Sequence, residues 1–86
     1  HHLKEVISGE EGSKVHQLVL AEEVSFFNKA SVVTALDTIP KNSKVIIDCT
    51  HSKSIAFDVV EIIQNYKIKT KAKNITVETI NFIEPK

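Results

Sequence analysis

The sequence predicts an α/β domain: a small mixed sheet in the order β-β-α-β-α-β, with helices packed mainly on one face. Segments with strand character alternate with segments of helical periodicity, and short polar turns separate them. The apolar residues are mostly Val, Ile, Leu and Ala, with four Phe, one Tyr and no Trp. This composition favours a sheet that carries helices over a helix bundle. Two successive strand-helix-strand units imply parallel pairing through right-handed crossovers.

Composition narrows the classes of function. The 86 residues suffice for one small domain with a thin stability margin. Eleven lysines balance eleven acidic residues, and there is no arginine. Because arginine is the preferred contact to bases and phosphates, nucleic acid is not expected as a partner. The single cysteine, Cys49, fits a reducing compartment. No apolar run approaches the roughly 20 residues of a membrane span, so the chain is expected to be soluble as an isolated domain, whether alone or within a larger protein.

The chain begins with a predicted hairpin. Residues 1–13 form an N-terminal edge strand and turn ahead of the main domain, residues 14–86, and residues 1–2 resemble the end of a purification tag. Leu3–Ile7 is the edge strand, and Lys14–Leu20 is the strand that pairs with it. Both glycines of the chain lie in the turn between these strands, where a positive φ is easily accommodated.

A connector and an amphipathic helix follow. The connector is predicted to carry Val24, Phe26 and Phe27 into the core. Asn28 is expected to be the N-cap of a helix of about three turns, because its side-chain oxygen can accept from a free backbone N–H. Pro40 ends that helix.

Lys44–Thr50 is predicted as the central strand. Because Val45–Ile47 is a run of consecutive apolar residues, both faces of this strand are expected to be at least partly covered. A short polar loop over residues 50–58 leads from it into the second helix. Strand-loop-helix junctions carry ligand and partner sites in α/β proteins, so this loop is the best candidate for a functional segment.

The second helix and the last strand complete the pattern. Helical spacing runs from Phe57 to Lys67, with a possible continuation to Lys71, and Asn74 interrupts it. Period-two alternation predicts a strand over Ile75–Ile80, extended by Phe82.

The segment after the central strand holds the side chains that most resemble a catalytic group. Asp48, Cys49 and His51 lie within four residues, but neighbours on a strand point to opposite faces, so Asp48 and Cys49 cannot share one. A thiol at the end of a buried strand is usually a small apolar residue. His16 is on another strand, and no His/Cys cluster has metal-ligand spacing. We therefore expect no enzyme activity, no metal and no cofactor.

The loop itself carries Ser52, Lys53 and Ser54. The simplest interpretation of these residues is turn and capping chemistry. Two alternatives stay open: a weak anion or nucleotide site at the start of the second helix, and a loop that docks a protein partner. The loop contains no glycine, unlike a phosphate-binding loop.

Four lysines alternate at the end of the second helix: Lys67, Lys69, Lys71 and Lys73. Cations in this position complement the C-terminal end of the helix dipole. The alternative interpretation is contact with an anionic membrane surface, where each lysine contributes about 1 kcal/mol.

Three segments together resemble one family. Val24–Ala30, directly after a strand, resembles the Phe-x-Asn-(x)-Ala start of the first helix in STAS domains of sulfate-permease (SulP) type anion transporters. Val45–Asp48 resembles their central strand, which commonly ends in Asp. Ser54–Val59 falls where those domains carry a loop into the second helix. The order and spacing of the segments match, and the resemblance covers about residues 14–82.

The same fold is used by bacterial anti-sigma-factor antagonists, in which a partner kinase phosphorylates a serine at the start of the second helix. Aligned on Ile55, that serine corresponds to Asp58, and the flanking acidic and glycine positions correspond to Ala56 and Val59. A carboxylate there is stabilised by the helix dipole, but a serine kinase cannot phosphorylate it. This departure favours the transporter-associated branch over a phosphorylation switch.

The resemblance implies a non-catalytic module that regulates an anion transporter or binds protein partners. It would lie on the cytoplasmic side of the membrane, attached to a transmembrane part that this chain lacks. The loop that would meet the transporter's membrane domain or another protein consists of Ser52, Lys53, Ser54, Phe57 and Asp58. Family domains usually continue past the last strand, so any sheet face that two helices leave open is expected to be covered by a second copy, as a homodimer, or by the parent protein.

Two other functions stay open at this point. The first alternative is a free-standing regulator that resembles the anti-sigma-factor antagonists and binds a protein partner. The second, from a different class, is an enzyme fragment that uses Asp48 and His51.

Overall fold

The computed structural model describes residues 3–82. In chain order the elements are β1 Leu3–Ser8, β2 Val15–Leu20, β3 Glu23–Val24, a 3-10 helix Phe26–Asn28, α1 Lys29–Asp37, β4 Lys44–Asp48, β5 Ser54–Ile55, α2 Phe57–Lys69, a 3-10 helix Thr70–Lys73 and β6 Thr76–Ile80. Residues 1–2, which were interpreted as the end of a tag, lie outside the described residues. So do residues 83–86, the C-terminal end of the predicted domain.

The main sheet has the strand order β1-β2-β4-β6. β1 is antiparallel to β2, whereas β2, β4 and β6 run parallel, so that Leu18, Ile47 and Thr79 stand side by side. A helix joins each parallel pair, as a parallel connection requires. The predicted β-β-α-β-α-β order and the mixed sheet are confirmed.

Both helices pack on one face of the sheet. Alternate residues of β2 and β4 are buried, as the strand period of two requires. The sheet contributes Leu18, Leu20, Val45, Ile47 and Cys49 to one buried cluster, and the helices contribute Val32, Leu36, Val59, Ile63 and Tyr66. Full burial of one aliphatic side chain stabilises the fold by roughly 1.5 to 3 kcal/mol, so this cluster dominates the stability of the domain.

The opposite face of the sheet mixes polar and apolar side chains. Ile46 is half-buried there. Close to it, the amide of Gln17 donates to Asp48 (3.1 Å), and Lys44 pairs with Glu78 (3.1 Å). Both faces of the central strand were expected to be partly covered. On this face, polar side chains of neighbouring strands cover it.

The hairpin turn depends on its first glycine. Gly9 has φ +92°, and a Cβ at this position would lie 2.7 Å from the carbonyl oxygen of Ser13. The N–H of Ser13 also closes the turn, because it donates to the carbonyl of Glu10 (2.9 Å). The predicted turn and antiparallel hairpin are confirmed.

The connector before α1 differs from the prediction. Val24 is buried, but Phe26 and Phe27 are 56% and 87% exposed, so the prediction that both rings enter the core was wrong. A short 3-10 helix, Phe26–Asn28, turns these rings outward. Its N-cap is Ser25, whose hydroxyl accepts from the N–H of Phe27 (3.2 Å).

Asn28 does not cap α1 with its side chain. Its Oδ1 instead accepts from the backbone N–H of Ser25 (2.7 Å), which closes a capping box around the 3-10 helix. The predicted N-cap position was right, and the predicted hydrogen bond was wrong.

The C-terminal half follows the prediction closely. α2 ends at Lys69, the 3-10 helix continues to Lys73, and Asn74 breaks it with φ +53°. The predicted extension of β6 to Phe82 was wrong, because Asn81 has φ +55° and leaves the extended region. Phe82 turns back and packs against the core cluster.

A two-stranded sheet was not predicted. β3 pairs in parallel with β5, and the pairing joins the connector to the loop that follows β4. The N–H of Lys53 donates to the carbonyl of Glu22 (2.8 Å), and the N–H of Ala56 donates to that of Val24 (2.7 Å). Strands of two residues are too short to show a period, so no sequence pattern indicates them.

Candidate functional site

The loop over residues 50–58 lies at the carboxyl ends of the parallel strands, where both helices begin. Asp48 closes its first turn, because its Oδ1 accepts from the backbone N–H (2.9 Å) and from the hydroxyl of Thr50. These hydrogen bonds, chiefly that of the Thr50 hydroxyl, hold the pKa of Asp48 below its usual range. Asp48 is thus a structural carboxylate that shapes the loop.

Ser52 and Lys53 tie the loop to the connector. The hydroxyl of Ser52 donates to the carbonyl of Ala21 (2.6 Å), and Lys53 pairs with Glu22 (3.3 Å). Ser54 belongs to β5. The structure therefore places these three predicted residues in turn and pairing contacts, and it brings only Phe57 and Asp58 to the start of α2.

Asp58 links the starts of the two helices. Its Oδ2 lies 3.3 Å from Nζ of Lys29, and both side chains are about two-fifths exposed (42% and 40%). Nζ of Lys29 also lies 4.8 Å from the centre of the Phe26 ring. An exposed ion pair contributes only about 0–1 kcal/mol, so this contact fixes geometry more than it stabilises the fold.

Three phenylalanines form the most unusual surface of this end, and we call Phe26, Phe27 and Phe57 the phenylalanine surface. Phe57 is 63% exposed. The rings of Phe26 and Phe27 pack edge to face with centres 5.6 Å apart. Three of the four phenylalanines of the chain are therefore mostly in solvent, and exposed apolar groups of this kind mark interaction sites.

Sequence reasoning missed this surface, although a signal was present. Phe26 and Phe27 are adjacent, and adjacent side chains of an extended connector point to opposite sides, so both rings would not be expected to enter one core. The lysines that line a groove at the opposite end of the sheet were also missed, since Lys14 lies far in sequence from Lys41 and Lys44.

The side chains considered for catalysis differ in their exposure. Cys49 is buried, and burial, followed by the negative charge of Asp48, raises the pKa of its thiol to about 11. His51 is exposed in the loop. Within residues 3–82, no three His, Cys, Asp or Glu side chains lie close enough to hold a metal ion.

The four alternating lysines do not share one surface. Lys67 and Lys69 are in the last turn of α2, and Lys71 and Lys73 are in the following 3-10 helix. Residues two apart on a helix point to roughly opposite sides, and Nζ of Lys67 lies 5.3 Å from the centre of the Phe82 ring. Contact with an anionic membrane surface stays a prediction. None of the described helices combines the length and apolarity that crossing a membrane requires.

Comparison with known proteins identifies a fold relative. No family model and no curated protein matches the chain. A crystal structure of a protein named Mglu superimposes with a TM-score of 0.65 at 19% identity, over 86% of this chain and 18% of that one. The chain thus spans less than a fifth of that protein's length. At this identity the match shows a shared α/β fold.

Proposed function

We propose that this chain is a non-catalytic regulatory domain that binds a protein partner through the phenylalanine surface. The sequence resemblance to STAS domains further suggests that the parent protein is a sulfate-permease-type anion transporter and that the domain lies on its cytoplasmic side. The observation that carries the proposal is the exposure of Phe26, Phe27 and Phe57 beside the loop that the resemblance marks as the partner-binding segment.

The energetics support a docking role for this surface. Aromatic residues are enriched in interface cores and often dominate the binding energy. Full burial of one such ring contributes roughly 1.5 to 3 kcal/mol. The fold itself does not need these rings buried, because the core cluster is complete without them.

Asp58 supports recognition that does not depend on phosphorylation. Its carboxylate is held by Lys29 at the start of α2, where a negative charge is stabilised by the helix dipole. A carboxylate, paired with a lysine, is therefore present at this position without any kinase.

Reading the gene upstream of residue 1 tests the parent protein. About ten or more apolar spans, each of roughly 20 residues, are expected for a transporter. A start codon near residue 1 would contradict the transporter proposal and favour the alternative, a free-standing regulator that resembles anti-sigma-factor antagonists.

Substitution in the parent protein tests the surface. Phe27→Ser with Phe57→Ser is expected to reduce anion uptake or its regulation, while the domain stays folded. Ile68→Ser is the matched control, because Ile68 is similarly exposed (67%) but lies at the far end of α2. Equal effects of the two variants would contradict a docking role for the phenylalanine surface.

A further inference from the structure

A groove lies at the other end of the sheet, beside the amino ends of the three parallel strands. Two adjoining cavities of about 290 and 220 Å³ share the lining residues Gly12, Lys14, Asn42 and Ser43 and so form one open groove. The hairpin turn forms one wall, the loop between α1 and β4 forms another, and the start of β6 closes the far side.

The groove is positively charged. Three lysines, Lys14, Lys41 and Lys44, line it together with one acid, Glu11. Lys14 pairs with Glu11 at 3.1 Å, but the Glu11 side chain is 94% exposed, and such a pair is weak. Lys44 pairs with Glu78, whereas Lys41 makes no ion pair with any described residue. An anion in the groove could therefore bind Lys41 without breaking an ion pair. It could also bind Lys14 in place of Glu11 with little loss of free energy, because that exposed pair is weak.

Hydrogen bonds connect the chain segments that form the groove. Asn42 and Asn74 both have positive φ (64° and 53°), and the side-chain amide of Asn74 donates to that of Asn42 (2.8 Å). The N–H of Asn42 donates to the carbonyl of Lys73 (3.2 Å), and the N–H of Lys44 to that of Lys14 (3.0 Å). Three separate chain segments are thus linked before any ligand arrives, which lowers the entropic cost of binding.

Neutral donors complement the lysines. Ser13, Ser43 and Thr76 line the same groove, and each hydroxyl can donate one hydrogen bond. Lysine binds phosphate as a point charge, without the bidentate geometry of arginine. The cavities are at or below the roughly 300 to 1,000 Å³ of usual ligand pockets, so they suit a small group.

We propose that this groove binds a phosphate group, with Lys14 and Lys41 supplying the main charge and the serine hydroxyls supplying neutral donors. A free phosphomonoester and an anionic lipid headgroup share this chemistry. The site is independent of the phenylalanine surface, which lies at the opposite end of the strands.

Titration with inorganic phosphate, followed by amide NMR at constant ionic strength against chloride, tests the proposal. Saturable shifts are expected at residues 12–14, 41–44 and 74–76. Lys14→Gln with Lys41→Gln is expected to weaken binding by about five- to tenfold per charge removed. Lys69→Gln with Lys71→Gln is the matched control, since it removes the same charge from the same end but outside the groove, and it is expected to change the affinity little.

A second arm separates the two sources of phosphate. Vesicles of phosphatidic acid in phosphatidylcholine are compared with vesicles of phosphatidylcholine alone. A response to inorganic phosphate assigns the site to free phosphates, and a response only to the acidic vesicles assigns it to lipid headgroups. The proposal is overturned if phosphate produces no larger shifts than chloride and the acidic vesicles bind no more protein than phosphatidylcholine vesicles. It is also overturned if the groove variant, shown to be folded by its unchanged Tm, responds like wild type.

Discussion

At both ends of the parallel strands, hydrogen bonds link separate chain segments, but the two ends carry opposite kinds of side chain. At the carboxyl end, β3 and β5 pair and hold the loop beside the phenylalanine surface. At the amino end, Asn42 and Asn74 hold the groove loops together, and lysines line the result. Hydrogen bonds link the segments of both ends before any ligand is present, and the side chains make one surface apolar and the other cationic.

The largest effect is expected from the core that supports both ends. Ile63 is fully buried in α2, and Ile63→Ala should lower the free energy of unfolding by roughly 2 to 5 kcal/mol through lost burial and a cavity. Urea denaturation followed by amide NMR should show one midpoint for residues of both ends. Separate midpoints would mean that the ends are not parts of one cooperative scaffold.

The hairpin turn tests the backbone of the amino end. Gly9→Ala should destabilise by about 2 kcal/mol, because the new Cβ meets the Ser13 carbonyl oxygen at a positive φ. Gly12 also has a positive φ (86°), but a Cβ there would meet no atom within 4 Å. Gly12→Ala should therefore lower the free energy of unfolding by only about 1 kcal/mol. Chemical denaturation measures both, and equal losses would contradict the steric explanation.

Alkaline pH probes one buried group at each end. Burial raises the pKa of Cys49, at the carboxyl end, to about 11 and that of Tyr66, in the last turn of α2, to about 12. The unfolded values are near 8.5 and 10, so the folded state holds both protons more tightly. The resulting stability is present below the unfolded pKa values and is lost as pH rises through the folded values.

The free energy of unfolding should therefore fall between about pH 9 and 12, by roughly 1.4 kcal/mol for each unit by which the folded pKa of a group exceeds its unfolded pKa. Cys49→Ala should remove the first part of this slope, and Tyr66→Phe the later part. Because the Tyr66 hydroxyl is buried without a partner in the described part of the chain, Tyr66→Phe should cost little at neutral pH. Slopes unchanged in both variants would contradict the burial of these groups.

The smallest effect on stability is expected at the phenylalanine surface. Phe27→Ser should change the free energy of unfolding by no more than about 0.5 kcal/mol, because the ring is mostly in solvent. Thermal unfolding measures this directly. A loss comparable to that of Ile63→Ala would show that the ring supports the fold and is not reserved for a partner.

Local pattern was enough to predict most of the fold. The Val45–Ile47 run predicted the central strand, and helical spacing after Phe57 predicted α2. Asn74 predicted the end of the 3-10 helix that follows α2, because each of these signals is carried by neighbouring residues. The β3–β5 pairing was not predictable, since each partner is two residues long.

The role of the loop over residues 50–58 as a partner site stays a prediction. Cys49 was rightly assigned to the core, because it follows a buried strand. The rings of Phe26 and Phe27 point outward because of a 3-10 helix, which is too short to produce a periodic sequence pattern. The groove joins Lys14 to Lys41 and Lys44 only through the parallel pairing of β2 and β4, a long-range contact that local sequence does not encode.

The β3–β5 pairing has a consequence for protein engineering. Residues 21–24 and 52–56 share backbone and side-chain hydrogen bonds, so neither segment is a self-contained module. A transplant of the loop to another scaffold must carry both segments and keep their parallel spacing. A chimaera that takes only residues 50–58 would inherit the sequence of the loop without its shape.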